Sequence, residues 1–276
     1  MKLFKGRNFC DISPTCFKIS AQKEICKRHL KDASGKTKFS GTYREDSLPV
    51  LISEHSNVLI KKGKGIDPVL QENKAVNINI ACGRINGMII HPGEEFSFWK
   101  TLGKITAKKG YKDGRVIVQN RLTPGMGGGL CNLANTINLL VLNSPLEITE
   151  LHKHSDALAP DHGKRVPFSS GTSVSYNYID YRFKNNTDRD FQLLAWCDDE
   201  KLHAQLRSTE PAEFLYRVTE EDHHFEKEGD NYYRVSKIYR ETLEKDTEKI
   251  IEKQLIWDNH SKVMFDPDEI PKDQIR

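Results

Sequence analysis

The amino-acid sequence predicts an α+β protein. It has a helical N-terminal preface, a central mainly antiparallel sheet with a cysteine-bearing helix, and a β-rich C-terminal meander. Two segments, beginning near Ala75 and at Cys131, carry apolar residues at helical spacing. Short apolar or alternating runs separate and follow these helices, and residues 232–239 alternate in polarity as exposed strands do. We therefore divide the chain into residues 1–73, 74–208 and 209–276.

The composition indicates a water-soluble protein without a nucleic-acid partner. Of the 276 residues, 37% are hydrophobic and 29% are charged, and the net charge of +3 comes from interleaved basic and acidic residues that form no basic stripe. We expect no membrane span, because no apolar run approaches ~18 residues. We also expect no signal peptide, because no apolar segment follows the basic residues 1–7. Six cysteines, none in a Cys-x-x-Cys pair, favour reduced thiols and a cytoplasmic location.

Residues 1–73 predict a helical preface that packs on the main domain. A helix is expected to open at Ser20, to carry Ile25 and Leu30, and to end at residues 34–36. A short apolar stretch at residues 48–52 and a loop rich in glycine and lysine follow it.

Residues 74–208 predict the central domain. Its first helix begins near Ala75 and stops at the turn dipeptide Asn86-Gly87. Its second helix begins at Cys131 and ends before Pro145, because proline cannot continue a helix. Between the two, we expect residues 123–129 to form a loop without regular structure. Strands are expected at residues 88–90, 95–99, 110–120, 146–151, 174–183 and 191–206.

Residues 209–276 predict an appended β-rich tail. Its dense charge and its alternating polarity indicate an exposed antiparallel meander over residues 214–257, with a limited core of its own. Residues 267–276 are expected to form a loose end.

The run Gly127-Gly128-Gly129-Leu130-Cys131 carries the strongest chemical signal in the sequence. Each glycine weakens regular structure by roughly 0.5–1 kcal/mol relative to alanine, so the run indicates positive dihedral angles or a close backbone approach. Cys131 follows at a helix start, where unpaired N–H groups and the helix dipole favour the thiolate. We therefore expect a lowered pKa for Cys131 and the highest reactivity among the six thiols.

A histidine follows this cysteine at a suggestive distance. His154 comes 23 positions after Cys131, at the end of a strand that must run back along the cysteine-bearing helix. Papain-like and transglutaminase-like thiol enzymes show the same order, because the histidine acts as a base toward the thiol. The alternative is that Cys131 is a small buried residue that packs under a glycine turn.

Several motifs in one order resemble the VanW family. They are residues 77–81, Asn86-Gly87, residues 92–99, residues 111–114, residues 127–131, the segment around His154 and residues 183–188. The resemblance implies an association with glycopeptide resistance and, more broadly, with cell-envelope biology. It also aligns the histidine of the family with His154, so we expect His154 rather than His152 to face the sulfur of Cys131. The resemblance supplies no established reaction.

The sequence departs from the family pattern at two places. Asn132 stands where the family usually has glutamine, and residues 170–174 lack an aspartate that the family commonly carries there. If that aspartate orients the histidine in relatives, Asp156 or Asp161 would have to replace it in this chain.

We predict no metal site and no cofactor. Cys131, His152 and His154 could be considered as three zinc ligands, but we expect only one of the two histidines to point inward. The remaining histidines, including His162 and His223, are expected in loops and on the surface.

Two functional classes stay open at this stage. In the first, the protein is a thiol hydrolase or acyl transferase on a peptide or amide, with Cys131 as nucleophile and His154 as base. In the second, it is a non-catalytic accessory protein that binds a small ligand or a protein partner. The predicted ligand-binding residues are Gly127, Gly128, Gly129 and Asn132, and the expected ligand is a cell-wall precursor or a peptide. The sequence makes no prediction of the oligomeric state.

Overall fold

A computed structural model describes residues 9–61, 66–118, 121–154, 156–157, 160, 167–168, 171–176 and 178–276. The predictions for residues 1–7 and for Asp161, His162 and Ser170 lie outside these residues. The structure confirms the α+β class. No helix in these ranges is both long enough and apolar enough to cross a bilayer.

The first helix is longer than the sequence indicated. Helix α1 spans Pro14–Ser34, and Ser13 caps it by accepting a hydrogen bond of 3.1 Å from the backbone N–H of Cys16. The predicted start at Ser20 was therefore too late by two turns, because Pro14 is already suited to the first helical position. No residue of α1 is buried, so the helix lies on the protein surface.

A five-stranded antiparallel sheet forms the centre of the fold. Its strands, in spatial order, are β1 (Thr42–Tyr43), β3 (Met88–Ile90), β10 (Phe191–Cys197), β11 (Lys201–Ser208) and β2 (Val50–Val58). The predicted helical preface thus also contributes two strands to the central sheet. Strand β2 extends well beyond the apolar stretch at residues 48–52, because its polar residues Ser53 and Asn57 hydrogen-bond a helix beneath them.

Two helices cover this sheet. Helix α2 spans Pro68–Ile85, so the predicted start near Ala75 was too late by about two turns, because Asp67 caps the helix and Pro68 suits its first position. The helix ends at Asn86-Gly87 as predicted, with Gly87 at a φ of +84°. Helix α4 spans Leu130–Leu142 and is buried along almost its whole length. Its leucines and isoleucine pack with the apolar side chains of α2 and of the central sheet in one large core. Asn143 caps it just before Pro145, close to the predicted end.

Smaller elements flank α4. Strand β4 (Glu95–Ser97) leads into the short helix α3 (Phe98–Leu102), so Phe98 and Trp99 are helical rather than extended as predicted. A three-stranded sheet joins β4, β9 (Arg182–Lys184) and β7 (Glu147–Glu150). Only the end of the strand expected at residues 174–183 exists, because a tight turn bridges Ser175 and Ile179.

The segment before the glycine run is regular, contrary to the prediction. Strands β5 (Asp113–Val118) and β6 (Arg121–Met126) form a two-stranded hairpin. Pro124 is tolerated because a two-stranded ribbon has free edges, where a missing N–H costs no ladder bond. Regular structure therefore continues up to Met126, and the irregular loop is limited to the three glycines.

The C-terminal meander is confirmed but is less separate than expected. It consists of β12 (Leu215–Glu228), β13 (Asn231–Leu243) and β14 (Ile250–Val263), and β14 also pairs in parallel with β8 (Asp156–Ala157). Ile238 packs with Leu139 and Leu142 of α4 in a second buried cluster. The end of the chain is not loose, since Ile270 is buried and the N–H of Arg276 donates to Phe225.

Candidate functional site

The glycine loop is held in place by a buried asparagine on α2. Asn77 is fully buried, and its amide donates to the carbonyl oxygens of Lys112 at 3.0 Å and Gly128 at 2.9 Å. Its side-chain oxygen accepts the N–H of Lys112 at 2.8 Å, and the N–H of Gly127 donates to Lys112 at 3.0 Å. One side chain thus links α2, the start of β5 and the loop before α4.

Two of the glycines have a packing reason to be glycine. A Cβ atom added at Gly128 would lie 2.3 Å from the carbonyl carbon of Gly114 and 2.6 Å from the nitrogen of Arg115. Gly127 has a φ of +77°, which only glycine adopts readily. Both residues are buried, so their contribution is to let two backbones meet. Gly129 differs, because it is only partly buried and forms the N-cap of α4 at a φ of +105°.

Cys131 lies at the second position of α4, as predicted, but its thiol faces the protein interior. Its Sγ donates a hydrogen bond of 3.6 Å to the carbonyl of Val174, and its side chain packs against the large core. Burial raises the pKa of the Cys131 thiol, and contacts with the backbone of Val174 and of Cys131 itself only reduce that rise. The expectation of a lowered pKa was wrong, because desolvation outweighs the helix terminus.

His154 lies on an irregular segment after β7. Its backbone N–H donates to Gly171 at 2.8 Å, next to an isolated bridge between Lys153 and Thr172. Burial lowers the pKa of the His154 imidazole, while the charge of Asp156 and the backbone of Thr172 oppose that shift. Asp156, considered above as a replacement for the missing aspartate, is thus close enough to affect His154 electrostatically.

No hydrogen bond connects Cys131 and His154, the predicted catalytic pair, although both residues are described. The neighbouring His152 forms a hydrogen bond of 2.9 Å with the side chain of Glu150. Asn135 of α4 contacts the segment around Thr172, which lies opposite His154. Its side-chain oxygen accepts from the N–H and the hydroxyl of Thr172, and its amide donates to Phe168 at 2.9 Å.

Asn132, the fourth predicted ligand-binding residue, is in the first turn of α4. Its backbone N–H donates to Gly129 at 2.9 Å, and its carbonyl accepts from the hydroxyl of Thr136 at 3.0 Å. Its side-chain oxygen is buried and forms no hydrogen bond within the described part of the chain. Asn132 thus holds a buried acceptor atom at the helix start that no described residue satisfies.

Lys74 is a site residue that sequence analysis missed. It lies on α2 with 9% of its surface exposed, and its side chain crosses Gly129, where an added Cβ would lie 2.4 Å from the lysine Cγ. The signal was present in the sequence. Lys74 precedes Ile78, Ala81 and Ile85 at intervals of four, three and four, which place it on the buried face of the helix.

A potential metal-binding group occurs elsewhere. Within the described ranges, Glu226, Glu228 and His260 on the meander have ligand atoms within 4.8 Å of one another. Each carboxylate already hydrogen-bonds a histidine, Glu226 with His224 at 3.0 Å and Glu228 with His260 at 2.8 Å. This group is made entirely of meander residues and shares none with the glycine loop.

Comparison with known proteins places the glycine loop, Cys131 and His154 in one matched segment. Residues 73–207 match the family model described as "VanW like protein". The chain is 29% identical over 227 residues to the vancomycin B-type resistance protein VanW of Enterococcus faecalis (strain ATCC 700802 / V583), an alignment that covers 82% of each protein. It is 29% identical over 124 residues to the uncharacterized protein YoaR of Bacillus subtilis (strain 168), covering 45% of this chain and 39% of that protein. No solved structure gives a significant match.

Proposed function

We propose a function from the premise that this chain belongs, through residues 73–207, to the VanW-like family. The protein is an accessory factor in glycopeptide resistance or another cell-envelope process. It binds a cell-wall precursor or a peptide without breaking a covalent bond. The support for the biological setting is the named resistance protein, to which most of the chain aligns.

The state of Cys131 supports binding rather than turnover. A thiol enzyme needs an accessible thiolate and a base that takes its proton. Here burial raises the pKa of the Cys131 thiol, and its proton is donated to the carbonyl of Val174 rather than to an imidazole. Cys131 therefore behaves as a partly buried structural residue that packs against the core below the helix start.

The helix start itself is the proposed binding surface. Gly127 and Gly128 hold the backbone, while Gly129, Asn132 and Lys74 border the first turn of α4. The N–H groups of Leu130 and Asn132 already donate to the carbonyls of Gly127 and Gly129, so the positive end of the helix dipole and the side chains around it are what would attract a polar or charged ligand group. The support for this placement is the unpartnered side-chain oxygen of Asn132.

A binding and mass-spectrometry experiment tests this function. The purified protein is mixed with a soluble cell-wall precursor, the UDP-linked muramyl pentapeptide, which suits the predicted cytoplasmic location. Calorimetry is expected to show binding, and mass spectrometry is expected to show an unchanged precursor. The Cys131→Ser variant should bind within about twofold of the natural protein, as should the control Cys26→Ser, which changes an exposed cysteine.

Two outcomes contradict the proposal. Absence of binding removes the accessory role at this surface. A product of altered mass that forms with the natural protein and with Cys26→Ser, but not with Cys131→Ser, restores the thiol enzyme with Cys131 as nucleophile and His154 as base.

A further inference from the structure

A buried lysine of α2 lies beside the start of α4. The side chain of Lys74 is 9% exposed and forms no hydrogen bond or ion pair within the described part of the chain. Lysine is almost never this buried unless its charge is paired, because removing an ammonium group from water is costly. Among the described residues, the ammonium group of Lys74 therefore has no anionic partner.

The aliphatic stem of Lys74 lies beside a helix N-terminus. Its aliphatic stem crosses Gly129, with Cγ, Cβ and Cα at 2.4, 3.3 and 3.5 Å from where a Cβ of residue 129 would be. Gly129 is the N-cap of α4, a helix of 13 residues. The absence of a side chain at Gly129 is thus what allows Lys74 to lie against the positive end of the helix dipole.

Two further cations, Lys61 and Arg115, lie near Lys74. Burial, together with the charges of Lys61 and Arg115, lowers the pKa of Lys74 to about 8. Lys61 follows β2 and Arg115 lies on β5, so the three cations come from three separate elements. Neither of the two has a side-chain ion pair in the described ranges, and no acidic residue offsets the charges around Lys74.

We propose that Lys74, together with Arg115 and Lys61, binds an oxyanion at the N-terminus of α4. The inference rests on the proposed function for the place of the ligand and adds the chemistry of the group that binds there. A carboxylate or phosphate oxygen would pair with the ammonium group of Lys74. It would also reduce the repulsion among the three cations.

The experiment uses the full chain and two simple probes, inorganic phosphate and acetate, with sodium chloride at equal ionic strength as the reference. Thermal unfolding is measured first, because a ligand that binds only the folded state raises the melting temperature. The ¹³Cε resonance of Lys74 is then titrated by NMR, with assignment from the Lys74→Met variant. We expect one of the probes to stabilise the natural protein and to raise the pKa of Lys74, because a bound anion favours the ammonium form.

Matched variants identify the residue responsible. Lys74→Met keeps the stem beside Gly129 and removes the charge, and it is expected to weaken anion binding at least tenfold. Lys18→Met changes an exposed lysine on α1 and should alter binding less than twofold. If Lys74→Met does not fold, Arg115→Gln serves in its place, and the NMR titration of the natural protein needs no variant.

The outcomes separate this inference from the proposed function. Tighter binding of acetate indicates a peptide carboxylate, and tighter binding of phosphate indicates a phosphorylated ligand. If neither probe stabilises the protein beyond chloride, or if Lys74→Met binds as well as the natural chain, the oxyanion site is wrong even where the muramyl pentapeptide binds. If a probe binds at Lys74 and the pentapeptide does not, the site stands and the proposed function fails.

Discussion

Arg182 and Asp32 form a bidentate ion pair, with two hydrogen bonds of 2.8 Å each. Both side chains are largely buried, at 6% and 11% exposure. Arg182 also donates a hydrogen bond of 2.7 Å to the fully buried Asp180. Asp32 lies on α1, and Arg28 of the same helix donates hydrogen bonds of 2.5 and 2.6 Å to Glu150. Because α1 contributes no residue to either apolar cluster, these charged contacts attach it to the protein.

Replacing Arg182 should therefore release α1 and destabilise the fold. We expect Arg182→Met to lower the free energy of unfolding by about 3–5 kcal/mol, because it leaves buried carboxylates without their partner. Chemical denaturation measures the change. The control Lys27→Met removes an exposed pair with Glu24 on the same helix and should cost less than about 1 kcal/mol. Equal losses for the two variants would show that Arg182 adds nothing specific.

The same network predicts a stability that depends on acid pH. Burial opposes ionisation of Asp32 and Glu150, but the hydrogen bonds and charges of Arg182 and Arg28 outweigh it and lower the pKa of both carboxyls. Their contribution is complete above the unfolded values of about 3.9 and 4.3 and is lost as the pH falls through the lower folded values. Denaturant unfolding between pH 7 and pH 2.5 should show this loss, and the double variant Asp32→Asn, Glu150→Gln should show a flatter profile. A double variant with an unchanged slope contradicts the assignment.

The close backbone contact at the glycine loop predicts strong intolerance of a single methyl group. Gly128→Ala places its Cβ 2.3 Å from backbone atoms of Gly114, so we expect a loss of at least about 2 kcal/mol in unfolding free energy. Gly83→Ala is the matched control, because an exposed helical glycine with nothing within 4 Å should gain about 0.5–1 kcal/mol. Thermal unfolding of the two variants should shift in opposite directions.

Thiol reactivity provides a test of the interior position of Cys131. Cys26 is exposed, whereas burial raises the pKa of the Cys131 thiol. We expect limited alkylation at neutral pH, followed by peptide mapping, to label Cys26 first and Cys131 slowly. Labelling in denaturant should remove the difference and serves as the control. Labelling of Cys131 ahead of Cys26 in the folded protein would return to the reactivity that the sequence predicted.

The second buried cluster predicts that the meander supports α4. Ile238→Ala removes a side chain that is 1% exposed and packs with Leu139 and Leu142, so it should cost about 2–5 kcal/mol. Ile251→Ala, at 56% exposure on β14, should change the unfolding free energy by less than about 0.5 kcal/mol. A shortened chain ending at Ser208 is expected to lose cooperative unfolding in circular dichroism. A sharp transition in that chain would mean that the meander is an independent appendage.

Local patterns predicted the helices and most strands, whereas contacts between distant segments decided the rest. The spacing of Leu133, Ile137 and Leu140 and the stop at Pro145 were sufficient for α4. The pairing of β6 with β5 was not visible, because Pro124 and Gly125 indicate a turn when considered alone. The raised pKa of Cys131 could not be predicted from its place on a helix, since it comes from burial against core side chains that lie on distant segments of the chain.

The two histidines show a different kind of error. Only one of His152 and His154 was expected to point inward, but residues two apart on a regular strand share a face, so strand geometry does not support that expectation. They differ in the structure because β7 ends at Glu150, and His152 bonds that residue. The cytoplasmic location and the catalytic roles of Cys131 and His154 stay predictions.

The pairing of β2 with β11 has a consequence for biosynthesis. Val50 lies opposite Ser208, so the edge strand of the central sheet must wait for about 150 further residues before its partner leaves the ribosome. The ion pairs of α1 with Glu150 and Arg182 impose a similar delay. Contacts of such long sequence separation slow folding, because the chain must close a large loop before it gains the contact. The nascent chain would therefore expose an unpaired strand with a hydrophobic Leu51 for much of its synthesis, and this is the stage at which a chaperone or premature aggregation would act.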